Sequence, residues 1–148
     1  MSLSTVRTKI YDILSGVSGV GKVYNRERYS AQWIAALNTF KTAANKIDGW
    51  TMRMQAAAED PGTSRTNRRY YNIVLRHYYG YDDTNSSQIT FEDFNETVCN
   101  AFRALPDLEG VAEIAEPPQI IVSEPRMFID ILCHYAEILI RVELEIQY

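Results

Sequence analysis

WTMRMQAAAEDPGTSRTNRRYYNIVLRHYYGY, residues 50–81, decides how the rest of the chain is read. Residues 50–58 alternate as a strand does. Trp50, Met52, Met54, Ala56 and Ala58 share one predicted face, and Thr51, Arg53 and Gln55 the other. Residues 70–81 alternate too, with both faces heavy. One carries Tyr71, Ile73, Leu75, His77 and Tyr79; the other carries Tyr70, Asn72, Val74, Arg76 and Tyr78. A strand apolar on both faces is expected at the centre of a sheet or under a neighbouring subunit. Between the two runs lies a polar loop, EDPGTSRTNRR at residues 59–69, broken at Pro61–Gly62 and carrying Arg65, Arg68 and Arg69. Long strands would carry this basic loop beyond the domain body. There it suits contact with a partner better than enclosure of a substrate.

Working outward, Val6, Ile10, Ile13, Leu14 and Val17 recur at helical spacing, predicting a helix over residues 4–14 that Gly16, Gly19 and Gly21 stop. Residues 22–25 read as a short strand. Ser30 is a predicted cap for a helix over residues 31–44, with Trp33, Leu37, Phe40 and Ala44 on one stripe. Thr90 is a predicted cap for a third helix over residues 91–105. Its stripe is Phe91, Phe94, Val98, Ala101, Phe102 and Leu105, and Pro106 ends it. Residues 106–118 are irregular and acidic. Residues 119–124 read as a short strand ended by Pro125–Arg126. In residues 127–147, Ala136, Ile138, Ile140, Val142, Leu144 and Ile146 face one way and Glu137, Arg141, Glu143 and Glu145 the other, the mark of a half-buried strand. Strands arrive in hairpin-like pairs and not in βαβ units. The expected fold is therefore α+β, a mainly antiparallel sheet with about three helices packed on one face.

The 148 residues suit one domain, and 46% hydrophobic with 23% charged residues is a globular balance. A formal net charge of -4 leaves no global electrostatic case for nucleic acid. The opening residues lack the long apolar core of a signal peptide, and apolar runs fall far short of the ~20 residues that span a bilayer. Cys99 on a predicted helix and Cys133 on a predicted strand match no metal-ligand spacing and are expected as buried free thiols.

No catalytic constellation stands out. His77 and His134 both lie on predicted strands, and Cys133 and His134, adjacent on one strand, should point to opposite faces. Both histidines are expected to be structural. No serine sits in a GxSxG elbow. GVSGVG, residues 16–21, has the glycines of a phosphate loop but follows a helix and lacks the Lys-Ser/Thr pair, so it reads as a helix stop. Tyr70, Tyr71, Tyr78, Tyr79 and Tyr81 beside Arg68, Arg69 and Arg76 could stack bases, yet tyrosine and arginine are equally typical of protein interfaces. With net acidity, core plus protein interface is the expectation. The acidic residues 107–116 could complement the basic loop of a neighbouring copy.

Three segments carry a family resemblance: GWTMRMQAAAEDPGTSRTNRRYYNIVLRHYYGYDD at residues 49–83, TFEDFNETVCNAFRAL at 90–105, and EPPQIIVSEPRMFIDILCHYAEILIRVEL at 116–144. With the opening TVRTKIYDIL, they resemble tail-terminator and tail-completion proteins of long-tailed bacteriophages and related prophages. The resemblance implies a small α+β subunit without enzymatic activity or cofactor. It implies a homo-oligomeric ring, usually a hexamer, that caps the tail tube, halts its polymerisation and meets the head-side connector. Its partners would be the tail tube protein and the head–tail connector or neck protein, with passive contact to DNA in the lumen and no membrane. Its place would be the virion tail or neck, and the host cytoplasm during assembly. The expected interface residues are Arg65, Arg68, Arg69, Tyr70, Arg76 and Tyr78. Rival readings are another neck protein (a stopper or adaptor), a nucleic-acid-binding module and a small enzyme.

Overall fold

A computed structural model of the chain describes residues 2–28, 33–42, 46–61, 66–128 and 131–147, with the backbone alone for residues 33, 34, 36, 37, 146 and 147. The elements run α1 (Leu3–Ser15), β1 (Lys22–Val23), α2 (Trp33–Phe40), β2 (Asp48–Pro61), β3 (Thr66–Gly80), α3 (Ser87–Arg103), β4 (Glu113–Ile114), β5 (Gln119–Phe128) and β6 (Ile131–Gln147). This is the expected α+β order with β4 added. The six strands form one sheet in the order β1-β2-β3-β6-β4, and β5 also pairs with β6. Two antiparallel hairpins, β2–β3 and β5–β6, are joined through an antiparallel β3–β6 ladder. Among the described residues only β1 pairs parallel, at Lys22↔Gly49 and Val23↔Trp50. That contact explains Gly21: a Cβ there would collide with the carbonyl oxygen of Asp48.

The main core lies between one sheet face and the helices α1 and α3. Val6, Ile10, Ile13 and Leu14 of α1 and Val98 and Phe102 of α3 pack on Trp50, Met52, Ile73, Leu75, Ile138 and Ile140. Each fully buried side chain of this size stabilises the fold by about 1.5–3 kcal/mol. Ser2 caps α1 by accepting the Thr5 N–H at 3.3 Å.

The other face has its own cluster. Phe40, at the end of α2, packs with Ile47, Cys133, Tyr24, Tyr78 and Phe128. The helices therefore do not all share one face, contrary to expectation. The expected α2 stripe falls partly on Trp33, Leu37 and Ala44, whose side chains lie outside the described residues, as does the expected cap Ser30.

Three predicted boundaries move. The polar loop of residues 59–69 is largely strand: Glu59↔Arg69, Asp60↔Arg68 and Pro61↔Asn67 are in register, and residues 62–65 lie outside the described residues. The β5 strand continues through Pro125 to Phe128 because it pairs on one side only, where a missing N–H is tolerated. The third helix starts at Ser87, not after Thr90. Asp82 accepts from the Asn85 N–H and side-chain amide, building a 3₁₀ turn over Asp83–Asn85 that leads straight into α3.

A bulge also breaks the predicted alternation. Met54 opposes Ile73 while Ala56 opposes Asn72, so Gln55 is the extra residue. Beyond it Ala56 and Ala58 lie on the face opposite to Trp50, not on the shared face expected from the sequence.

Candidate functional site

The chemistry-bearing side chains are tied into the fold. His77 lies flat on Trp50, with ring centroids 4.0 Å apart, and 5.0 Å from Phe91. Its Nδ1 is 2.8 Å from Asn95 Oδ1 and its Nε2 is 2.9 Å from Asp48 Oδ1. His134 sits on the same sheet face, stacked against Tyr81 and Phe91. Its Nε2 is 2.8 Å from Ser87 Oγ, which also accepts the Asp82 N–H at 2.8 Å. The hydrogen between Ser87 Oγ and His134 Nε2 lies on either atom, according to the His134 tautomer. Burial holds the His134 imidazole below its usual pKa, favouring the neutral ring. Among the described residues no group orients His134 through Nδ1, so the pair lacks the third member of a catalytic triad.

Cys133 belongs to the cluster on the opposite face, so the predicted separation of Cys133 and His134 holds. Both Cys99 and Cys133 are free, and burial pushes each thiol up to about 11. Such thiols are poor nucleophiles. No group of three or more His, Cys, Asp or Glu side chains able to hold a metal converges among the described residues. A cleft of about 600 Å³ lies beside Lys41, Lys46, Tyr81, Asp82, Ser87 and Leu132.

The residues expected at an interface scatter over two faces. Arg65 lies outside the described residues. Arg68 is exposed and pairs with Glu143 at 3.4 Å. Arg69 is 3.1 Å from Glu59 and donates to Tyr71 Oη at 3.3 Å, so it belongs to the opposite face from Arg68. Tyr70 lies under Arg141, whose guanidinium is 4.8 Å from the ring centroid. Arg76 pairs with Glu27 at 2.6 Å. Tyr78 contacts Phe40, Phe128 and Tyr135, with burial raising its phenol pKa.

Arg68 and Arg69, expected to reach a partner, have carboxylate partners within the chain. Of the two places expected for residues 70–81, the centre of the sheet holds, since β3 lies between β2 and β6. Its second apolar face is partly covered from within, by Phe40 and Phe128 against Tyr78. The acidic residues 107–116 also sit near Arg68 of the same copy: Asp107, Glu113 and Glu143 share a shallow cleft with it.

What sequence reasoning missed is the pair of sheet edges. β1 covers β2 only at Gly49 and Trp50, so among the described residues the outer edge of residues 51–61 is unpaired. β5 pairs with β6 alone, and its outer edge is unpaired likewise. Among the described residues, five of the eight exposed large hydrophobics lie on the β5–β6 hairpin: Ile120, Ile121, Met127, Ile131 and Leu132. A sixth, Met54, lies on β2. The signal available was the adjacent pair Ile120 and Ile121 in the segment read as a short strand, where strict alternation would bury only one of them. No protein-family model matches the chain, and no curated relative matches it either.

Proposed function

We propose that this protein is a non-enzymatic structural subunit of a phage or prophage virion, working as a homo-oligomeric ring of the tail-terminator or tail-completion kind. The ring, a hexamer in the usual arrangement of that kind, caps the tail tube, stops its polymerisation and joins it to the head connector. The observation that carries a contact role is the far end of the sheet. There β2, β3 and β6 run on together to Pro61, Thr66 and Gln147, with β2 exposed from Arg53 onward. Three paired strands make a stiffer platform than the lone loop expected from the sequence. Its exposed face carries both signs: Asp60, Arg68, Glu145, Glu143 and Arg141. A mixed grid of this kind suits protein contact and register better than affinity for a polyanion. The resemblance of the sequence segments supplies the kind of partner.

Arg68, Arg69, Tyr70, Arg76 and Tyr78 remain the proposed contact residues on this chain. The internal pairs of the arginines are no obstacle, because exposed ion pairs exchange partners at little cost. The double variant Arg68→Glu/Arg69→Glu should keep the monomer's circular dichroism and lose ring assembly with tube protein. Obligate contacts of this sort bury more than about 2,000 Å² in total. A chain that stays monomeric with tube protein present, and binds neither tube nor connector, overturns the reading. Binding to portal-adjacent protein without the tube would instead favour a stopper or adaptor.

A further inference from the structure

The cleft of about 600 Å³ beside the start of α3 has the size of a ligand site. Its lining is basic on an acidic chain. Among the described residues, Lys41 and Lys46 stand against one carboxylate, that of Asp82, while the whole chain has a formal net charge of -4. Neither lysine has an ion pair or a side-chain hydrogen bond to a cleft residue among the described residues. Lys46 is only close enough to Asp82 to favour its charged form, behind the stronger effect of the Asn85 hydrogen bond. Much of the remaining lining is apolar. Tyr81, Ile131 and Leu132 are 42%, 37% and 44% exposed, so three of the eight exposed large hydrophobics among the described residues open onto this one cleft.

These walls are tied down before any ligand arrives. Lys41 bridges Ile47, and the Thr42 N–H donates to the Lys46 carbonyl at 2.8 Å, so both lysines are held at the ends of one connection. The Gly80 N–H donates to the Ile47 carbonyl at 2.8 Å, fastening that connection to the end of β3. Tyr81 stacks on His134 with 4.5 Å between ring centroids, and Ser87 Oγ accepts the Asp82 N–H at 2.8 Å. Groups fixed in advance lose little entropy on binding.

We propose that this cleft binds the carboxyl-terminal end of a partner polypeptide that finishes on an apolar residue. The terminal carboxylate lies between the Lys41 and Lys46 ammonium groups, the last side chain rests on Tyr81, Ile131 and Leu132, and a backbone N–H donates to Asp82. The Asp82 carboxylate accepts from Asn85 at 2.6 Å and 3.4 Å and has lone pairs to spare for that donor. Asp82 also selects among anions. It repels a phosphate, which carries more than one negative charge, but suits a peptide, which brings an N–H beside its single carboxylate. A fatty acid satisfies the lysines and the apolar wall and leaves Asp82 without a donor. The site is separate from the contact residues proposed above and does not depend on ring assembly.

The test is a titration of the isotope-labelled full chain with acetyl-Ala-Phe as the free acid, with its carboxamide and with decanoate, followed by amide shifts in two-dimensional NMR. The acid should give saturable shifts at Gly80, Tyr81, Ile131 and Leu132. The carboxamide should bind at least about tenfold more weakly, the loss expected when one charge-assisted contact is removed. Lys41→Gln with Lys46→Gln should bring the acid down to the level of the carboxamide and leave the melting temperature unchanged. Leu132→Asp should weaken both peptides. Equal affinity for acid and carboxamide, undiminished affinity in the double lysine variant, or shifts centred outside the cleft overturn the proposal. So does decanoate binding more tightly than the peptide acid, which would make the occupant a lipid-like anion. Absence of saturable shifts up to ~10 mM, beyond the weak end of specific binding, overturns it as well. None of these results touches the ring reading, which stands or falls with tube protein present.

Discussion

The two ends of β3 show what one strand becomes in two environments. From Ile73 to His77 it is central and covered: Ile73, Val74, Leu75 and His77 are each at most 2% exposed, with α1 and α3 on one side and His77 held between Trp50 and Phe91. From Thr66 to Tyr70 the same strand is flanked by β2 and β6 but has lost the helices, and charged pairs replace apolar ones. Pairing is continuous along the strand; covering is not. The covered end makes the fold, and the uncovered end is free to make contacts.

That contrast can be broken from either end. The largest effect is expected at the covered end. Trp50→Ala removes the ring that stacks on His77 and should cost about 3–5 kcal/mol. At about 2–4 °C per kcal/mol for a chain of this size, the melting temperature should fall by roughly 6–20 °C. A smaller loss would mean that the stack is not the anchor of the core. Gly21→Ala comes next: the added methyl meets the backbone of Asp48, and β1 must leave β2 or shift. We expect about 1–3 kcal/mol, the range for overpacking, read by urea denaturation. An unchanged midpoint would show that the β1 contact is dispensable.

The third test is the acid response. His134 has a folded pKa below its unfolded value near ~6.5, so the unfolded chain takes up the proton first. Its contribution is present above about pH 6.5 and is lost as pH falls through the folded pKa. Between pH 7 and 5 the wild-type chain should lose more stability than His134→Gln, measured by denaturant midpoints. Equal slopes would remove His134 from the account. The smallest effect belongs to the uncovered end. Arg69→Gln removes the exposed pair with Glu59 and should move the melting temperature by less than about 3 °C. A large drop would show that the platform contributes to folding as well as to contact.

Legibility in the sequence followed the reach of the interaction concerned. Alternation and helical spacing are local, and they identified the buried faces well. Val6, Ile10, Ile13 and Leu14 on α1, and Ile138, Ile140, Val142 and Leu144 on β6, are buried as the spacing implied. The free thiols and the opposed placement of Cys133 and His134 were equally readable. The bulge at Gln55 was not, because an extra residue leaves no mark in a run of Ala56, Ala57 and Ala58. The length of β2 and β3 was misjudged because polar residues 59, 60, 68 and 69 look like a loop until they are seen to pair across the hairpin. The partners of Arg68, Arg69 and Arg76 were hidden for the same reason: Glu143, Glu59 and Glu27 lie 75, 10 and 49 positions away along the chain.

The sequence by itself determined the class of the fold, the order of its elements and the sidedness of most of them. Those properties depend on side-chain periodicity over a few residues, which the backbone geometry of helix and strand imposes. Only the tertiary structure decided which strand is central, which helix covers which face and which edges stay open. Those depend on pairing between residues far apart in the chain, and a strand's own pattern does not say who its neighbour is. Thus Arg68, Arg69 and Arg76, expected at an interface, are paired within the chain, and the outer edges of β2 and β5 are left without a partner among the described residues.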